Sequence, residues 1–152
     1  PFSGIYSASK TLIDLEKNKK IDQQVNTVSL FWETIGENMD QWRGVRVGNL
    51  SAAEVRRDFI HTHVIILQAL GHMGKDLLKQ FPTNWKSKLK NLNKINWLKN
   101  NSVWQQRVII NGRVVKNNNS IILASNVIKK ALGIKLDTKE KALESQVKKN
   151  GK

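Results

Sequence analysis

The sequence predicts a mainly α-helical domain with a central buried helix and one small β-hairpin. Three observations carry this. Apolar residues recur every three or four positions through most of the first 78 residues; a capping box opens the most apolar of these runs; and Asn111-Gly112 separates two short β-branched strings. At 152 residues the chain is long enough for one domain with a core of its own.

The opening run steps through Ile5, Ala8, Leu12 and Leu15, one face of a helix, and Lys17 to Lys20 form a solvated break. Val25, Val28, Trp32, Ile35, Met39 and Trp42 keep the same spacing for five turns, which predicts one helix closed by Gly44 and Gly48. Next comes Ser51-Ala52-Ala53-Glu54. The Ser51 hydroxyl is placed to accept from the Glu54 amide while the Glu54 carboxylate reaches back to the Ser51 amide, with Leu50 and Val55 at the staple positions. The run behind it is apolar on two faces, one through Val55, Phe59, Ile66, Met73 and Leu77, the other through Ile60, Val64, Leu67 and Leu78. That is the pattern of a central helix. Gly71 and Gly74 inside it are expected to permit close backbone approach or a bend.

Pro82 ends the central helix, and Trp85, Leu89 and Leu92 predict a short helix whose other faces carry Lys86, Lys88, Lys90 and Lys94. Arg107 to Lys116 reads as two strands about an Asn-Gly turn, followed by a loop at Asn117, Asn118 and Asn119. Val127, Ile128, Ala131 and Leu132 form a compact helix with Lys129 and Lys130 outward and Gly133 as its stop. Asp137 or Thr138 caps a last helix that frays after Lys148. Residues 1–136 are thus expected to form one helical domain, 1–76 a neutral scaffold and 77–136 a basic half with the hairpin; 137–152 are a C-terminal helix or tail. Pro1 stands where an initiator Met would, with helical spacing already under way, so the chain reads as a piece of a longer protein.

Charge is the most informative property. From Leu77 to Leu136 sixty residues pass without an Asp or Glu while carrying twelve Lys and Arg; residues 1–76 hold nine of each sign. A net charge of +14 concentrated in this way attracts polyanions, and nucleic acid is the first to consider. A hairpin tip bearing Arg113, flanked by Arg107 and Lys116, is shaped to enter a groove, with Lys129 and Lys130 against the backbone. Arg56 and Arg57, beside Asp58, are either a surface ion-pair group or further phosphate contacts. The plainer reading of the whole segment is a solvated surface from a Lys- and Asn-rich composition. Trp97 and Trp104 are candidates for stacking on unpaired bases, while Trp32, Trp42 and Trp85 have core spacing.

Other classes fare less well. With no Cys, disulfides and thiolate metal sites are excluded, and no apolar stretch reaches the roughly 18 to 20 residues of a spanning helix. His61 and His63 lie two apart and would diverge on a helix, unlike the four-residue spacing of helical zinc pairs, so Glu54, Asp58, His61, His63 and His72 make no metal motif. No nucleophile motif, phosphate-binding glycine loop or catalytic carboxylate pair appears, and nothing calls for a cofactor.

The string Leu50 to His63, above all Glu54-Val55-Arg56-Arg57-Asp58-Phe59-Ile60-His61-Thr62-His63, continued by Leu67 to Gly71, resembles the C-terminal part of the DndB family of DNA sulfur-modification proteins, within the DGQHR-domain proteins. Phe2 to Leu12, Trp85 to Trp97, Gly112-Arg113-Val114 and Asn126 to Gly133 extend the resemblance over nearly the whole chain. The motif Asp-Gly-Gln-His-Arg is absent; Asp40-Gln41-Trp42-Arg43 is only superficially similar, and the true motif would lie upstream of Pro1. The resemblance implies a cytoplasmic bacterial protein of a DNA phosphorothioation gene cluster, acting as a DNA-binding regulator of transcription rather than as the sulfur-transfer enzyme. It carries no residue assignments. The expectation is therefore a DNA-binding portion contacting duplex DNA through basic side chains. The alternatives are a module docking other modification proteins, marked by an exposed apolar patch on the second or third helix, and the non-catalytic part of a nuclease- or ATPase-like enzyme.

Overall fold

In the computed structural model, which describes residues 2–16 and 19–150, eight helices and one hairpin follow one another among the described residues. They are α1 (Phe2–Leu12), α2 (Ile21–Glu37), α3 (Asp40–Arg46), α4 (Ala52–Asp58), α5 (Val64–Gln80), α6 (Trp85–Leu89), β1 (Ile109–Ile110), β2 (Arg113–Val114), α7 (Asn118–Leu132) and α8 (Thr138–Asn150). Short 3-10 turns occupy Ile13–Glu16, Ile60–Thr62, Lys90–Lys94 and Ser102–Trp104. Lys17 and Asn18 of the expected basic break lie outside the described residues, as do the side chains past Val147, where fraying was expected.

Small residues let α1 lie directly on the central helix α5. A Cβ on Gly71 would sit 2.4 Å from the Ala8 carbonyl oxygen, one on Gly4 3.1 Å from Val64, and one on Gly74 2.7 Å from Leu12 and 2.5 Å from Phe31. The two helices therefore run in the same direction with their backbones nearly touching, and the close approach expected at Gly71 and Gly74 is found. The inner face of α1 is Gly4, Ala8 and Leu12; Ile5, expected to point inward, is 39% exposed. On its other side α5 packs on α7, and α6 and the 3-10 turn after it close the core with Leu89 and Leu92.

Two predicted long helices are broken, each at a residue whose side chain is better placed by extended backbone. The run to Trp42 stops at Glu37. Asn38 donates its Nδ2 to the Thr34 carbonyl at 2.8 Å, and Met39 turns extended (φ −121°, ψ 105°), which buries its side chain. The capping box at Ser51 forms as predicted, with Glu54 N on Ser51 Oγ at 3.1 Å and Ser51 N on Glu54 Oε2 at 3.2 Å. Its helix, however, ends at Asp58. Phe59 is extended (φ −112°, ψ 143°) and pairs antiparallel with Leu98, Ile60 N donating to the Trp97 carbonyl at 2.9 Å. The aromatic and β-branched side chains from Phe59 to His63 favour that geometry over a helix.

The hairpin forms at the predicted turn, pairing Ile109 with Val114 and Ile110 with Arg113. Asn111 (φ 50°) and Gly112 (φ 72°) both take the left-handed conformation that a two-residue turn of this kind requires. Asn117, expected in a loop, is the N-cap of α7, its Oδ1 accepting from Ser120 N at 2.8 Å; α7 accordingly begins at Asn118, well before the predicted Val127. Gly133 closes α7 in the left-handed region (φ 73°), as expected. Asp137 and Glu140 form a second capping box, with Glu140 N on Asp137 Oδ1 at 2.8 Å and Asp137 N on Glu140 Oε2 at 2.9 Å.

Candidate nucleic-acid interface

The segment without acids in sequence has acids beside it in space. α7 runs between α5 and α8, so the face expected to carry Lys129 outward meets Asp76 on one side and Glu140 on the other. Lys129 is 1% exposed, and its ammonium is hydrogen-bonded to both carboxylates. Its outward placement is thereby corrected: a buried cation persists only when paired, and here two acids pair it. Glu144, one helical turn further along α8, accepts from Arg107 Nη2 at 2.9 Å and from the Lys130 ammonium. Burial pushes the Glu144 carboxyl up, but the hydrogen bonds from Arg107 and Lys130 outweigh it and hold the group below its usual range. Arg107 also donates to the Val103 carbonyl at 3.2 Å, which fixes it along the ion pair. The sequence did contain a signal for this arrangement, since Asp76 directly precedes the basic segment and Glu140 and Glu144 follow it within about two helical turns.

The remaining predicted side chains stand on three elements. Lys86, Lys90 and Lys94 are exposed and Lys88 is half-buried, its ammonium 4.3 Å from the centre of the Phe81 ring. Lys86 and Lys90 line a groove with Glu33 and Glu37 of α2, so their field is partly opposed from across it. Arg113 and Lys116 are exposed on the hairpin and just beyond it, with no ion pair among the described residues. Arg56 and Arg57 are exposed near the end of α4. Arg57 is tied to Asp58 by two hydrogen bonds, Nε to Oδ1 at 2.8 Å and Nη2 to Oδ2 at 2.9 Å, whereas Arg56 meets only the Thr62 carbonyl at 3.3 Å. Lys99, which pattern reading passed over, donates to the Arg56 carbonyl at 2.7 Å.

The tryptophans and His61 build core rather than a base-stacking surface. Trp97 and Trp104 are buried and stacked on each other, ring centres 5.4 Å apart at 16°, and donate their indole N–H to the Leu92 and Asn96 carbonyls. Stacking of bases on these two rings is therefore overturned. His61 lies against Phe59, Trp42 and Trp97; Trp42 Nε1 donates to His61 Nδ1 at 3.0 Å, which leaves Nε2–H to donate to Gln41 Oε1 at 3.3 Å. Burial first, and His63 second, push the His61 imidazole down to about 4, so it is neutral at pH 7. The string Asp40-Gln41-Trp42-Arg43 is thus structural: Gln41 and Trp42 orient His61, and Arg43 pairs with Asp40 at 2.5 Å. His72 is exposed on α5, and no group of three or more His, Asp or Glu side chains converges in a metal-holding arrangement among the described residues.

These features define a basic, mainly helical module whose exposed cations stand on α4, the α6 region and the hairpin, while its buried cations tie α8 to the core. No helix among the described residues is long and apolar enough to cross a membrane. The family model for DndB, described as DNA-sulfur modification-associated, matches residues 1–135, and the chain belongs to that family. Its role accordingly lies in DNA sulfur modification. No curated protein and no solved structure matches the chain. The match stops at Lys135, before the α8 residues that neutralise Lys129, Lys130 and Arg107.

Proposed function

We propose that this chain is the DNA-binding portion of a DndB-type transcriptional regulator of phosphorothioation genes, and that it contacts duplex DNA through exposed basic side chains. The observation that carries the reading is the set of exposed cations left without an ion pair among the described residues: Lys86, Lys90 and Lys94 around α6, Arg113 and Lys116 at the hairpin, and Arg56 at the end of α4. Each can neutralise a phosphate and release a counterion, which is the main source of affinity independent of base sequence. Lys130 and Arg107 contribute only what Glu144 leaves uncancelled, and Lys129 contributes by holding α7 in place. Titration with duplex DNA at several salt concentrations tests the reading. The logarithm of the affinity should fall linearly with the logarithm of salt, and reversing the charge of Arg113 and Lys116 together should weaken binding; a response flat in salt refutes it.

One observation favours a second reading, a module that docks other modification proteins. Ile21 and Val25, one turn apart on α2, are 76% and 56% exposed, and Tyr6 on α1 is 63% exposed. Under that reading duplex binding is weak and indifferent to changes at Arg113 and Lys116, while substitution of Ile21 and Val25 by Ser abolishes association with a partner.

A further inference from the structure

The corner between α4 and α5 gathers cations that hydrogen-bond to no carboxylate, although Asp58 lies close enough to act on Lys99 through space. The antiparallel pairing of Asp58–Ile60 with Trp97–Lys99, closed by Lys99 N on the Asp58 carbonyl at 3.0 Å, carries the Lys99 side chain onto the last turn of α4. There its ammonium meets the Arg56 carbonyl at 2.7 Å, and the Arg56 guanidinium meets the Thr62 carbonyl at 3.3 Å. His63 follows directly at the start of α5, where no side chain caps the helix. Thr62 Oγ1 and His63 Nε2 are buried there without hydrogen-bond partners.

The contrast with the ion-paired cations of the molecule is chemical. Lys129, Lys130, Arg107, Lys75, Arg43 and Arg57 are each met by a carboxylate. Arg56 and Lys99 have only backbone carbonyls, each accepting one of the several N–H groups that a guanidinium or ammonium offers. Asp58 acts on Lys99 through space, but both its oxygens are engaged by Arg57. We propose that Arg56, Lys99 and His63 form a site for a phosphate-type oxyanion, and that in the DNA-bound protein a backbone phosphate occupies it. The second half of this statement rests on the DNA-binding reading above; the first half does not.

The charge on His63 reports on occupancy. Burial, then Lys99, then Arg56 hold its imidazolium below the usual histidine range, against a smaller opposite pull from the Arg56 backbone carbonyl. An oxyanion seated between Arg56 and Lys99 reverses the local sign and raises it.

The test uses the chain as it stands, with inorganic sulfate and a short duplex as separate probes. The His63 ring titration is followed by NMR in wild type and in Lys99→Gln, which keeps a donor for the Arg56 carbonyl but removes the charge. Sulfate should raise the His63 pKa in wild type and do so several-fold more weakly in Lys99→Gln. Lys99→Gln and Arg56→Gln should each lower duplex affinity and reduce the salt slope by about one phosphate contact. If sulfate leaves His63 unmoved, the oxyanion site is refuted whether or not DNA binds elsewhere. If sulfate moves His63 but the duplex does not compete with it, the oxyanion site stands and its occupant is a free phosphate-type ion, so only the DNA half falls.

Discussion

Lowering the pH from 7 to 5 should destabilise this domain, with the largest part coming from one side chain, His61. It is fully buried among Phe59, Trp42 and Trp97 and accepts the Trp42 indole hydrogen bond, an arrangement only the neutral ring can make. It titrates near 4 in the folded chain against 6.5 as an ordinary histidine. The unfolded state therefore binds more protons than the native state between those values, and stability rises with pH across that window. It is complete above about 6.5 and is lost as the pH falls toward 4. At about 1.4 kcal/mol for each pH unit, the loss between pH 7 and pH 5 is about 2 kcal/mol, reaching about 3 kcal/mol by pH 4. Urea unfolding at both pH values measures it. His61→Gln, which is uncharged and can still accept from Trp42, should remove about 2 kcal/mol of the difference, because His63 and His72 remain in both proteins and cancel. An equal pH slope in wild type and His61→Gln would refute the argument. Ring titration of His61 by NMR offers a direct check; a midpoint near 6.5 would sink it.

Two further outcomes follow from the packing. Lys129→Met should cost about 3–5 kcal/mol in chemical denaturation, because it leaves Asp76 and Glu140 facing each other without their cation. Adding Asp76→Asn and Glu140→Gln should restore most of the loss, and failure of that rescue would mean that shape rather than charge is at stake. Gly71→Ala should destabilise by at least the 1–3 kcal/mol typical of overpacking, since the new methyl would sit 2.4 Å from the Ala8 carbonyl oxygen and backbone must move. A thermal midpoint equal to wild type would show that α1 is not seated on α5 as described.

Several features were legible in the chain because they are settled within a few residues. Ser51 and Glu54 are three apart, Asn111-Gly112 sits at the only place two short β-branched strings flank a turn, and Gly133 follows the last apolar position of its helix. Each satisfies backbone groups next to it, and each is found where expected. The breaks at Met39 and Phe59 were not legible. Periodicity continues through both, and what ends the helices is a distant partner, the core that takes Met39 and the Leu98 segment that pairs with Phe59.

The fate of the positive charge divides the same way. The sequence by itself determined the fold class, the local caps and turns, the family, and an excess of cations between Leu77 and Leu136. Only the tertiary structure decided which of those cations remain available. Lys129 meets Asp76 across 53 residues and Glu140 across 11, and Arg107 meets Glu144 across 37. Lys99 reaches Arg56 across 43 residues and bonds a backbone carbonyl there rather than a carboxylate. Coulomb interaction depends on distance in space and on burial, and sequence separation measures neither.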